Sequence, residues 1–236
     1  MKKLFTLAAT CLWLLTPGTH VAAQDTKTFT FNKGQVLDVL YLIRRPDTGA
    51  ALQEYFKTVG PVAQKLNYTP HGAVRVAGKP PQGNFAPDVV VFGTWPGDFE
   101  DRDRVYQQLL AEHPDLQSRR MDIWSSFNMT QYEVSKDITL SMDKAKHYVL
   151  TAYWLEDASD LSAFQKRFME TLSATSGTSK MLLTAGRSPF GYAFTPDLMV
   201  ISEWDNVLDA ARFTDASKEL NAHGVAHVNQ FPVAAP

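Results

Sequence analysis

The chain has 236 residues, a formal charge of −2, 44% apolar residues and a single cysteine. Mild acidity without a lysine and arginine stripe argues against nucleic acid as a partner, and the apolar content suffices for a sizeable core. Cys11 lies in an N-terminal apolar run, so packing rather than disulfides must carry stability.

Lys2 and Lys3 precede the apolar run Leu4–Leu15, and Val21-Ala22-Ala23 supplies small residues. This pattern reads as a secretory signal peptide over residues 1–23, with a run too short to span a bilayer. Cleavage near Ala23–Gln24 leaves a cysteine-free chain of charge −4, expected in a bacterial periplasm or outside the cell, with no membrane attachment. No later stretch is apolar enough to cross a membrane.

The short alternating stretch Phe29–Phe31 comes first, then a β-branched and aromatic run, Val36–Ile43, of strand length. Arg45-Pro46-Asp47 ends it, and Asp47 is the expected helix cap. Ala51, Leu52, Tyr55, Phe56, Val59, Val62, Ala63 and Leu66 recur at helical spacing, with a kink or break expected at Gly60-Pro61. A strand at Gly72–Ala77, a Gly/Pro-rich hairpin, a strand ending at Trp95 and a helix opened by Asp98 follow. After the segment His113–Trp124, a strand at Phe127–Val134 closes this half. Ile138–Leu140 then leads into a second series: a strand at Tyr148–Leu155, then a helix with Ser159 as expected cap and Leu161, Phe164, Phe168 and Leu172 on one face. A strand at Lys180–Ala185, another hairpin, a strand ending at Trp204, a helix opened by Asp205 and a strand at His227–Pro232 complete it.

The two series match in order. "AGKPPQGNFAPDVVVFGTW" (77–95) parallels "AGRSPFGYAFTPDLMVISEW" (185–204), and "ALQEYFKTV" (51–59) parallels "AFQKRFMET" (163–171). This predicts a tandem duplication of a β-α-β-β-α-β, ferredoxin-like unit, spanning residues 24–140 and 141–236. Along Val89–Phe92 and Leu198–Ile201 both strand faces are apolar. Helices cover one face, so the two sheets are expected to pack on each other as an intramolecular α+β barrel, in a monomer or a homodimer.

The second half resembles the small DUF1330 proteins of the dimeric α+β barrel superfamily. The resemblance rests on "YVLTAYWL", "AFQKRF", "AGR", "LMVISEW" and "DNVLDAARF", and on "FKTVGPVAQKLN" in the first half. It implies two ferredoxin-like units joined face to face. It also implies a menu of activities: cofactor-independent monooxygenation, haem chemistry, or a stress-related role. Fold alone does not choose among them.

Trp95 and Trp204 end the duplicated strands, where each either walls a ligand cavity or packs the core. The hairpins carry Lys79 and Arg187, the second adding Phe190 and Tyr192; with Tyr153 these form a candidate grip on a small anionic or aromatic molecule, against a plain solvated hairpin. Asp38 is a carboxylate in an otherwise apolar strand, and either bonds to a linker or marks a pocket. His223 and His227 stand four apart, a metal-ligand spacing on a helix, but lack the glutamate of HExxH and a third ligand. Hydrogen-bonded or solvated imidazoles are the simpler account, and an axial haem ligand a special case. GxSxG, P-loop, Rossmann and Cys/His zinc patterns are absent. The sequence therefore predicts an exported barrel that binds a small apolar or aromatic molecule without a required cofactor. The alternative is a monooxygenase or haem-dependent enzyme.

Overall fold

In a computed structural model the described residues are 26–189, 194–222 and 224–236. The proposed signal segment, Phe190, Tyr192 and His223 lie outside them. The elements run β1 (Thr26–Phe31), β2 (Gln35–Arg44), α1 (Gly49–Lys65), β3 (Thr69–Val76), β4 (Val89–Pro96), α2 (Phe99–Glu112), α3 (Leu116–Ile123) and β5 (Trp124–Glu133). Then come β6 (Ile138–Asp143), β7 (His147–Leu155), a 3₁₀ turn (Ala158–Asp160), α4 (Leu161–Ala174), β8 (Thr178–Thr184), β9 (Leu198–Trp204), α5 (Val207–Leu220) and β10 (Val225–Ala234). Among the described residues no helix is long and apolar enough to cross a membrane.

Eight strands form one antiparallel sheet in the order β5-β2-β4-β3-β10-β7-β9-β8. Each half contributes four strands in the same relative order: last, first, third, second. The halves join where Val76 and Arg75 of β3 pair with Val233 and Ala234 of β10. At the far ends of the sheet, Gln131 of β5 and Arg187, beyond β8, exchange backbone hydrogen bonds of 2.8 and 2.9 Å. The sheet thus curls until its two edges meet, which removes most of the exposed edge. Its inner face holds an apolar core including Val39, Tyr41, Phe92, Leu150, Met199 and Phe231. The ribbon β1–β6 adds buried Phe29, Phe31, Leu140 and Met142 to that core. Separate helix-side cores cover the outer face of each half.

Several local expectations are corrected. Asp47 does not cap α1: it adopts φ 61°, and Thr48 is the N-cap, without a side-chain bond to the helix. Gly60-Pro61 does not break α1, which continues to Lys65 because its apolar stripe packs on both sides of the proline. Ser159 does not cap α4; it lies in the 3₁₀ turn, where Asp157 accepts its N–H at 2.8 Å, and Asp160 holds the N-cap position. Asn206 rather than Asp205 caps α5. Asp98 does cap α2, and a reciprocal bond with Asp101 closes the capping box.

Asp88 and Asp197 have matching work. Asp88 Oδ2 accepts the Arg44 N–H at 2.7 Å, and Asp197 Oδ2 accepts the Leu155 N–H at 2.8 Å. Each ties the start of its strand to the end of the neighbouring one.

Candidate functional site

Even-numbered residues of β2 and odd-numbered residues of β4 and β5 face the helices of the first half. Between that face and α1, α2 and α3 lies a cavity of about 320 Å³, within the size range of small-ligand pockets. Leu40, Val59, Tyr68, Trp124 and Phe127 supply much of its apolar and aromatic wall. Phe56, Gln64 and Pro70 are its exposed lining residues and mark the mouth.

The floor is polar. Asp38 comes from β2, Trp95 from the end of β4 and Arg102 from the second turn of α2. Asp38 Oδ2 accepts from Trp95 Nε1 at 2.9 Å and from Arg102 Nη2 at 3.0 Å, while Oδ1 accepts from Gln131 Nε2 at 3.1 Å. The Arg102 side chain is only 1% exposed. Its Nε and Nη1 have no hydrogen-bond acceptor among the described residues, and Nη1 stands 3.9 Å from Asp103 Oδ1, beyond hydrogen-bond range. A buried guanidinium with unmet N–H groups is costly unless something accepts from them. A second guanidinium, Arg120 of α3, donates from Nε to Tyr55 Oη and from Nη1 to Tyr106 Oη, both at 2.9 Å. Among the described residues the charged ones lining the cavity are Asp38, Arg102 and Arg120, a formal balance of one positive charge. Burial, and then the nearby Asp38 carboxylate, push the Tyr68 phenol well above its ordinary value, so it stays protonated.

Asp38 is therefore the odd carboxylate of the sequence, and it marks a pocket. Trp95 lines the same cavity. Arg187 does not; it sits one step behind the floor. Its Nε donates to Gln131 Oε1 at 2.9 Å, its Nη2 to Asp103 Oδ1 at 2.6 Å, and its guanidinium lies 4.1 Å from the Phe99 ring centroid. Gln131 thus links Arg187 of the second half to Asp38 of the first. Tyr153 and Trp204 belong to the second half's packed core: Tyr153 lies against Phe164 at 4.8 Å and Trp204 against Phe213 at 4.9 Å. His227 is exposed on β10, its ring 5.1 Å from that of Trp154. α5 ends at Leu220 and β10 begins at Val225, so His227 stands on a strand and not on a helix. No cluster of three metal-ligating side chains occurs among the described residues.

Arg102 and Arg120 escaped the sequence reading because "FEDRDRVYQQ" and "LQSRRMDI" look like solvated helix. The signal was present in the spacing. Arg102 shares a stripe with Tyr106 and Leu109, and Arg120 shares one with Leu116 and Ile123.

No family profile matches the chain, and no curated protein does. Among solved structures, an anthrone oxidase-like protein superposes with a TM-score of 0.52 at 15% identity, covering 88% of this chain and 94% of that one. A chlorite dismutase from Candidatus Nitrospira defluvii reaches 0.47 at 8% identity, covering 87% and 93%. A haem-binding protein from Thermus thermophilus reaches 0.40 at 10% identity, again covering 87% and 93%. The chain has the dimeric α+β barrel fold. At such identities the likeness extends to the fold alone.

Haem fits the cavity poorly. Axial ligation draws on His, Cys, Met or Tyr. Among the described residues no histidine or cysteine lines the cavity. The Tyr55 and Tyr106 hydroxyls accept from Arg120, the Met129 sulfur faces Arg102 Nη2 at 3.4 Å, and the Tyr68 phenol is held protonated.

Proposed function

We propose that this chain is an exported, periplasmic or secreted, bacterial barrel protein that binds a small aromatic molecule in the cavity of its first half. The observation that carries the reading is Arg102, buried at the cavity floor with two donor nitrogens lacking acceptors. A ligand oxygen, as carboxylate, phenolate or carbonyl, meets that need, and the tyrosine and tryptophan rings around it suit a flat apolar body. The matching strand orders support two duplicated ferredoxin-like units over 24–140 and 141–236, with kinship to DUF1330 proteins as the finer expectation.

The enzymatic alternative, cofactor-independent oxygenation, draws on the same guanidinium, which also suits a developing phenolate or enolate. It ranks second because Asp38, the only carboxylate in the cavity, already accepts three hydrogen bonds and is poorly placed to take a substrate proton.

The test is calorimetric titration of the whole protein with benzoate, 1-naphthoate and 1-naphthol. Binding is expected in the wild type and is weakened about tenfold or more in R102Q, a change of about 1.4 kcal/mol. The pair D38N/R102Q, which removes both charges of the floor pair together, guards against simple unfolding. If no probe binds, or if the variants bind as well as the wild type, the reading is wrong. Oxygen uptake in the presence of 1-naphthol would instead favour the enzyme.

A further inference from the structure

A second depression, a groove of about 650 Å³, adjoins the cavity and shares Leu42, Phe56, Val91 and Trp124 with it. Its charged lining residues are Arg44, Arg75 and Asp88. Both arginines are exposed, and neither guanidinium has an ion pair or hydrogen bond among the described residues. Asp88 is already engaged with the Arg44 backbone N–H. On β2 the residues Asp38, Leu40, Leu42 and Arg44 follow one another on a single face, so floor, wall and groove lie in one row. The six residue steps from Asp38 to Arg44 give that row a length of about 20 Å.

The strand registers relate the halves residue by residue. Val36 pairs with Trp95, and His147 pairs with Trp204. Asp38 then corresponds to Val149, and Arg44 to Leu155. Arg75, opposite Val89, corresponds to Thr184, opposite Leu198. Counted from the helix caps Asp98 and Asn206, Arg102 corresponds to Ala210. The cations of the groove thus occur in the half that has the cavity, and the matching positions of the second half carry none. Arg44 and Arg75 are exposed, whereas at the matching positions Leu155 is buried in the second half's core and Thr184 is half-buried.

We propose that the ligand is elongated: an aromatic head against Arg102 and an apolar stem passing Phe56 and Leu42. At the other end an anionic tail is held between Arg44 and Arg75. This rests on the cavity reading above and extends it to a ligand class, aromatic compounds with a long carboxylate- or phosphate-bearing chain.

The experiment titrates the whole protein with ω-(4-hydroxyphenyl)alkanoic acids of increasing chain length and with the matching alkanols. Beyond a threshold length, each acid is expected to bind at least about fivefold tighter than its alcohol, as two exposed ion pairs allow. In R44Q/R75Q that ratio falls to about one while alkanol affinity is unchanged. In R212Q, an exposed cation of the other half, the ratio is retained. Equal binding of acid and alkanol at every length, with alkanol binding still dependent on Arg102, overturns the tail subsite and leaves the cavity reading standing. Loss of the ratio in R212Q as well also overturns it, since bulk charge would then explain the preference. If neither series binds, both readings fall together.

Discussion

The helix-side cores of the two halves occupy the same place on the same strand order, yet one encloses a cavity of about 320 Å³ and the other buries a tight cluster of aromatic side chains. In the second half Phe164, Phe168 and Phe213 are fully buried, and Trp204 and Leu172 nearly so. By the caps Thr48 and Asp160, Phe168 corresponds to Phe56, which is 60% exposed at the cavity mouth. Tyr68 over Gly93 corresponds to Gly177, and Gly93 to Ser202; the bare backbone at Gly177 lets Leu172 and Trp204 close in. Trp95 donates to Asp38, whereas Trp204 Nε1 has no acceptor among the described residues. The same scaffold therefore supports a filled apolar core and a polar-floored pocket, and a few residues facing the helices set the choice.

The difference can be broken most directly at Asp38. D38V, which copies the second half at one position, strands the buried Arg102 charge and should cost about 3–5 kcal/mol in urea unfolding. Adding R102A copies the second half at both positions and should recover most of that loss. A double variant no more stable than D38V would mean that the ion pair is not what sets the two cores apart. Next in size, F168A should cost about 3–5 kcal/mol for a buried phenyl. F56A should change stability by less than about 0.5 kcal/mol, since its ring is mostly in solvent. Equal costs would show that Phe56 is packed.

Gly93→Ser copies the second half at a position where a Cβ would collide with the Tyr68 hydroxyl. It should cost about 1–3 kcal/mol by overpacking and shift the tyrosine, measurable in near-UV circular dichroism. The smallest effect concerns acid. Burial first, then Lys27, lowers the His71 pKa below its ordinary value, and its Nε2 meets Thr94 Oγ1 at 2.9 Å. A base depressed on folding contributes stability above about pH 6.5, its unfolded value, and loses it as pH falls through the folded value. His71→Gln should flatten that part of the stability–pH curve. The corresponding residue of the second half is Lys180, paired with Glu203 at 3.6 Å.

Much of the architecture was legible because it depends on periodicity. Alternating apolar residues on both faces of Val89–Phe92 and Leu198–Ile201 required cover on both sides, and the curled sheet supplies it. Helix starts were read less well. Asp47, Ser159 and Asp205 were each chemically able to cap, but backbone path decided that Thr48, Asp160 and Asn206 hold the positions. The candidate site was half legible. Asp38 stood out as charge in an apolar strand, and Trp95 as the strand's end. Arg102 and Arg120 were hidden among other charged helix residues: composition does not distinguish Arg102, 1% exposed, from Arg104, 67% exposed two residues later.

By itself the sequence determined the strands, the helices, the correspondence between the halves and the need to bury both faces of the sheet. These follow from local spacing, and spacing is written along the chain. Only the tertiary structure decided which half keeps a cavity and which arginines turn inward. Those outcomes depend on whether a phenylalanine one helix turn away swings in or out, and on what stands opposite it, a balance of volumes and buried charges that exists only once the helices lie on the sheet.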